Sequence, residues 1–248
     1  MKIATLAYSV LIYFLFFASF LYLIAFIGGS MVPFIHAPKT LDWGSGLNTG
    51  LPPALVNIAL LLLFGLQHSI MARQSFKAVI TKIIPRSIER STYVLATVIV
   101  LVVLYVGWVP MPGAVWSVTS PIWAGVLTGL FFVGLALVLL STFLINHFEL
   151  FGLEQAWLSF KNKSAAHPKF YTPFLYKLVR HPLYLSFLIA FWATPYMSVG
   201  HLLFASVWTA YILIAIGYEE RDLTDVFGDE YTDYVAKTPM ILPVGGRK

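Results

Sequence analysis

The chain has no cysteine. It therefore makes no disulfide, and any sulfur that reacts must belong to a substrate or a cofactor. Charge is also scarce: Asp, Glu, Lys and Arg make up 11% of the residues, roughly half the usual share in a soluble domain. None of these four residue types lies deep in any long apolar run. Proton pumps and ion-coupled transporters place ionisable groups there, so transport driven by buried charge is disfavoured. No Lys/Arg-rich run with interleaved aromatics exists, and the net charge of +5 suits anionic lipid on a cytoplasmic face better than nucleic acid. The absence of a GxGxxG-type loop counts against a nicotinamide-dependent reductase. No repeat is visible, no low-complexity segment appears beyond the apolar runs, and no metal is expected.

What remains is oil. Hydrophobic residues make up 59% of the chain and the mean hydropathy is +0.81, with several runs longer than the ~18 residues that cross a bilayer core. Spanning helices are expected over about 4–27, 52–71, 91–109 and 122–145. The first run is too long for the apolar region of a signal peptide and is read as a retained helix. A further apolar stretch, 182–217, is broken at Thr194–Gly200 and is short of the ~40 residues that two full spans need. It is read as a hairpin that enters the membrane and returns. Segments 72–90, 146–181 and 218–248 are polar. With the N-terminus inside, only Lys39 of the 16 Lys and Arg residues falls outside, as the positive-inside rule demands. The expected fold is an all-α integral membrane protein, one domain over 1–248. It has four spanning helices, a C-terminal membrane hairpin and a cytoplasmic helical tail, with both ends cytoplasmic.

Polar chemistry gathers at two places. In Arg180-His181-Pro182-Leu183-Tyr184, Pro182 suits a first helical turn, whose free amides carry partial positive charge. His181 and Tyr184, three apart, can share a face. An anion or polar ligand could be held there; equally, Arg180 could snorkel to headgroups and Tyr184 could join the aromatic belt. At Glu219-Glu220, read as the end of the hairpin's second helix, carboxylates are disfavoured by the helix dipole. They would suit a cationic or hydroxylated ligand, or else form a solvated acidic face with Asp222 and Asp225.

These residues, with Arg221-Asp222-Leu223, Phe227-Gly228-Asp229-Glu230-Tyr231 and Tyr234, resemble the C-terminal signature of the isoprenylcysteine carboxyl methyltransferase and phospholipid methyltransferase superfamily. The resemblance covers roughly the last 70 residues. Two departures, Ser186 for a glycine and Thr238-Pro239-Met240 without a following arginine, count against the superfamily's larger substrates. Further upstream, Gln67-His68-Ser69-Ile70-Met71-Ala72-Arg73, Pro85, Glu89-Arg90-Ser91-Thr92-Tyr93 and Asn146-His147-Phe148-Glu149-Leu150-Phe151-Gly152-Leu153 resemble the NnrU-like branch. Within it they are most similar to the methanethiol S-methyltransferases.

The resemblance implies methyl transfer from S-adenosylmethionine to methanethiol, giving dimethyl sulfide and S-adenosylhomocysteine, in a bacterial cytoplasmic membrane. It implies a cofactor cradle of Arg180, His181, Pro182, Tyr184, Glu219 and Glu220. A simple thiol is mostly protonated at neutral pH, so a general base is useful. His68 and His147, at the ends of their helices, are the candidates, with Tyr93, Asn146 and Gln67 as hydrogen-bond donors to a thiolate. His36 and His201 are less favoured. Two alternatives stand beside this reading. One keeps the cofactor and takes a lipid or prenylated acceptor. The other is a non-catalytic NnrU-like protein of nitrogen-oxide or haem metabolism, with His68 and His147 as axial ligands.

Overall fold

The computed structural model describes residues 2–35, 37–164 and 169–243; His36 lies outside the described residues. Among the described residues, five helices are long and apolar enough to cross a membrane: α1 (Lys2–Gly28), α2 (Pro53–Ala72), α4 (Arg86–Gly107), α5 (Pro121–Ile145) and α9 (Val199–Phe227). The chain is therefore a multi-pass membrane protein. Leu62, Ile99, Val106, Trp123 and Ile214 stand more than half exposed along these helices, an apolar surface that lipid covers and water would not. Shorter helices are α3 (Gln74–Ile80), α6 (His147–Leu150), α7 (Leu153–Phe160), α8 (Pro182–Trp192) and α10 (Asp229–Lys237). Proline opens α2, α5 and α8, where its missing N–H costs nothing.

Three expectations change. The hairpin is uneven: its first arm, α8, has 11 residues, and its second, α9, has 29 and is long enough to span alone. Glu219-Glu220 therefore does not end a helix. Arg221–Val226 continues it, Thr224 bonding back to the Glu220 carbonyl, so the dipole argument against carboxylates there does not apply. Helix α4 begins at Arg86, five residues before the expected start, because outside lipid its charged first turn is no obstacle. Two short strands, β1 (Ala114–Ser117) and β2 (Tyr196–Ser198), the latter within the break at Thr194–Gly200, pair in one sheet.

The chain forms two compact units. The first comprises Met1–Val115, His147–Ala166 and Met197–Phe204. Helix α4 is its centre, packed against α1, α2 and α7. Ile12, Tyr93, Val94 and Phe151 form a buried core there, flanked by Tyr13, Phe16, Met71 and Leu150. Buried Asn57 of α2 exchanges two hydrogen bonds with the Val109 backbone, both 2.8 Å, which satisfies polar groups freed where α4 ends. Ser91 of α4 donates to Ser9 of α1 at 2.8 Å. Gly152, at φ +85°, lets the chain turn from α6 into α7; a Cβ there would sit 2.5 Å from the Ser91 hydroxyl.

The second unit comprises Trp116–Asn146, His167–Tyr196 and Ala205–Lys248. Helices α5 and α8 pack so closely that a Cβ on Gly134 would lie 2.8 Å from the Ala190 nitrogen and 2.9 Å from the Ser186 carbonyl oxygen. Ser186, the residue that departs from the superfamily's glycine, is small enough for this contact. Its hydroxyl is satisfied by the Pro182 carbonyl at 2.7 Å. Helix α8 runs antiparallel to the part of α9 in this unit: Trp192 bonds Thr209 near one end and Tyr184 bonds Glu219 near the other. Gly228, at φ +57° and ψ −127°, breaks α9 and starts α10, a backbone conformation that suits only glycine.

Candidate functional site

The second unit brings both sequence-predicted polar clusters together at the start of α8. His181 is the residue before the helix and Pro182 its first residue. Arg180 donates from Nε to Glu220 Oε1 at 2.7 Å, and from Nη1 to the carbonyls of Val235 (3.2 Å) and Thr238 (2.5 Å). The Arg180 and His181 amides donate to the carbonyls of Pro239 and Met240, at 2.9 and 3.1 Å. The tail thus takes the two amides that precede the helix. His181 is buried, with Nε2 2.9 Å from Glu220 Oε1. Glu220 thus binds two cationic or polar partners at one oxygen and ties α9 to α8, while Arg180 ties both to α10.

Glu219 differs. Its side chain is 44% exposed, it accepts a 2.6 Å hydrogen bond from Tyr184, and His181 Nδ1 lies 3.9 Å away. The His181 and Tyr184 rings are stacked at 5.6 Å. One carboxylate is thus oriented by a phenol, backed by an imidazole and open on one side, an arrangement suited to a cationic or hydroxylated ligand. Behind it, α10 packs an aromatic cluster. Tyr231 is buried, its ring 5.8 Å from Phe170 and 5.9 Å from Tyr234. The Tyr234 hydroxyl donates to the Tyr176 carbonyl. Burial, with the Arg180 charge opposing and that of Glu220 adding, pushes the Tyr234 phenol up to about 12. A groove of about 780 Å³ runs beside Arg180 between Leu188, Leu213, Val235, Met240 and Ile241.

The first unit holds two histidine–tyrosine pairs. His147 is buried, and its Nε2 lies 2.9 Å from the hydroxyl of Tyr13 on α1. Tyr13, Phe148 and Phe151 surround the imidazole edge-on, at 4.8–5.7 Å. Burial pushes its pKa below the ordinary histidine value, so the ring is neutral at pH 7. His68 Nε2 lies 2.8 Å from the Tyr93 hydroxyl and Nδ1 3.5 Å from Thr97 Oγ1, with the ring stacked on Phe64 at 5.2 Å. The Arg90 guanidinium covers the Tyr93 ring at 4.9 Å and donates to the Leu150 carbonyl. Gln67 donates to Met71 Sδ at 3.2 Å. Asn146 caps α5 in an extended conformation, half-buried. His201 is buried, and its amide donates to the Ser198 hydroxyl oxygen.

Among the predicted residues, the six at 180–184 and 219–220 form one cluster, and Tyr93 pairs with His68. Sequence reasoning missed Tyr13 as the partner of His147, and Tyr231 behind Glu220. The signal for Tyr13 was present: Ser9 and Tyr13 are polar groups four apart in an otherwise apolar helix, the mark of a face turned toward other helices.

The family described as a protein of unknown function, DUF1295, matches residues 73–238. Methanethiol S-methyltransferase 1 of Bradyrhizobium diazoefficiens is 47% identical over 242 residues, covering 98% of this chain and 83% of that protein. The methanethiol S-methyltransferase of Mycobacterium tuberculosis is 46% identical over 239 residues, 96% of each. Nurim of Xenopus laevis is 31% identical over 182 residues, 67% of this chain and 61% of that one. No solved structure matches.

Proposed function

The chain belongs to the methanethiol S-methyltransferase family, and we propose that it methylates methanethiol with S-adenosylmethionine, releasing dimethyl sulfide and S-adenosylhomocysteine. The observation that carries this reading is 46–47% identity to those enzymes over 96–98% of the chain. When bound, the donor supplies a methyl group on an electrophilic sulfonium.

The residues present fit that group, with a division of labour. Glu219 is the open carboxylate, suited to the donor's ammonium or ribose hydroxyls, and Tyr184 fixes its orientation. Glu220 and Arg180 already satisfy each other. They serve by clamping α8, α9 and α10 into the frame that holds Glu219, with His181 between the two carboxylates and Pro182 starting the helix beneath them. Such pre-ordering matters because in-line transfer gains most from exact positioning.

The acceptor must lose its thiol proton. His147, held neutral by burial and with Nε2 2.9 Å from the Tyr13 hydroxyl, is the candidate base. His68, paired with Tyr93 and Thr97, is the second candidate. Asn146, next to His147 in the chain, is a candidate donor to the thiolate. The base exists to shift a thiol that is mostly protonated at pH 7 toward its nucleophilic form.

We place the chain in a bacterial cytoplasmic membrane as a single methyltransferase domain bathed in lipid. Its ends are both cytoplasmic, and α8 with α9 forms the returning hairpin. The distribution of Lys and Arg supports this orientation. It puts Arg180 and Glu219 on the face where S-adenosylmethionine is available. The apolar groove beside Arg180 is the observation that favours a second reading, a long-chain acceptor. Headspace gas chromatography of purified protein given the donor with either methanethiol or a long-chain thiol separates the two. Dimethyl sulfide from methanethiol is expected; turnover of the long-chain thiol alone would overturn the proposed acceptor.

A further inference from the structure

Tyr231 is 1% exposed, yet its hydroxyl has no hydrogen-bond partner among the described residues. Its neighbours show how unusual this is. The hydroxyl of Tyr184 donates to Glu219 and that of Tyr234 to the Tyr176 carbonyl. A buried hydroxyl left unpaired is costly, and native structures retain few such groups. Tyr231 stands one turn before Val235, whose carbonyl accepts from Arg180, so it lies on the face of α10 that meets the Arg180–Glu220 clamp. The charges of Glu220, Arg180 and Glu219 all act on its phenol, and burial raises its pKa. The hydroxyl therefore stays protonated, a donor, across the physiological range.

We propose that the Tyr231 hydroxyl is a ligand group for the methyl donor, unpaired in the free protein and donating to the carboxylate of the donor's amino-acid end once that end is bound. The assignment rests on the cofactor reading above and adds a residue to it. The complementarity is chemical. Glu219 is an acceptor and suits the ammonium or ribose hydroxyls. Tyr231 is a donor whose unmet bond calls for an acceptor, and a carboxylate is the strongest acceptor the ligand carries. The Arg180 charge nearby favours an anion over a neutral oxygen.

The test is calorimetric titration of the full chain in detergent with S-adenosylhomocysteine and with 5′-methylthioadenosine, which lacks the amino-acid end. Tyr231→Phe is expected to weaken S-adenosylhomocysteine binding about tenfold, the loss of one charge-assisted hydrogen bond. It should leave methylthioadenosine binding unchanged and keep or raise the ligand-free Tm, because the unpaired hydroxyl is gone. Tyr234→Phe, which breaks the bond to Tyr176, should instead lower Tm and leave the affinity for S-adenosylhomocysteine as it was. Equal S-adenosylhomocysteine affinity in wild type and Tyr231→Phe overturns this assignment alone, and so does equal weakening toward both ligands. No binding by the wild type overturns the cofactor reading and this assignment with it.

Discussion

Adjacent glutamates with identical chemistry have different surroundings here, and substitution should separate them. Glu219 is 44% exposed, whereas Glu220 bonds Arg180 and His181. Glu219→Gln removes a charged acceptor and should weaken S-adenosylhomocysteine binding about 10- to 100-fold by calorimetry, with little change in Tm. Glu220→Gln strands Arg180 in a partly buried site. It should cost about 1–3 kcal/mol of stability, less than the loss of a fully buried pair because part of Glu220 stays solvated. The Tm in detergent reads this out. His147 gives a pH signature. Its folded pKa lies below the unfolded value of about 6.5, so its contribution to stability is fully present above that pH and is lost as pH falls toward the folded value. Activity should likewise persist somewhat below pH 6.5 and then decline as the base is protonated. Tyr13→Phe removes the hydroxyl that meets Nε2, and the acid limb of kcat/KM should move. An unmoved limb would take the base role from His147.

Helices meet in this protein through small residues, and there the sequence is only partly legible. The apolar runs marked where the four leading helices lie, and Arg180–Tyr184 and Glu219-Glu220 announced themselves as polar islands in oil. That they would meet followed once 182–217 was read as a hairpin, and Tyr184 does bond Glu219. The length of α9 did not follow, because charged residues read as tail continue a helix once they leave lipid. Neither did the capture of the Arg180 and His181 amides by Pro239 and Met240, since it joins segments about 60 residues apart with no local pattern. Gly134 was likewise silent: its need comes only from the backbone of α8 lying against it. Gly134→Ala should force α5 and α8 apart and cost about 1–3 kcal/mol, as overpacking does, seen as a lower Tm with S-adenosylhomocysteine binding weakened only as α8 shifts.

For the molecule as a whole, orientation and reaction are the two claims. Among the described residues five helices are long enough to span, an odd number that would by itself put α1's start and α9's end on opposite sides. In the proposed topology the short helix α8 is a sixth membrane segment that returns the chain to its starting side, so reporter fusions at either end should both report a cytoplasmic location. A C-terminal reporter active outside would refute the hairpin. The reaction is tested most directly by giving the purified protein methanethiol and S-adenosylmethionine carrying a trideuterated methyl group, then analysing the headspace by mass spectrometry. The account predicts dimethyl sulfide three mass units heavier than unlabelled gas, formed in step with S-adenosylhomocysteine and much reduced in Glu219→Gln. Bound donor with no labelled dimethyl sulfide would contradict it.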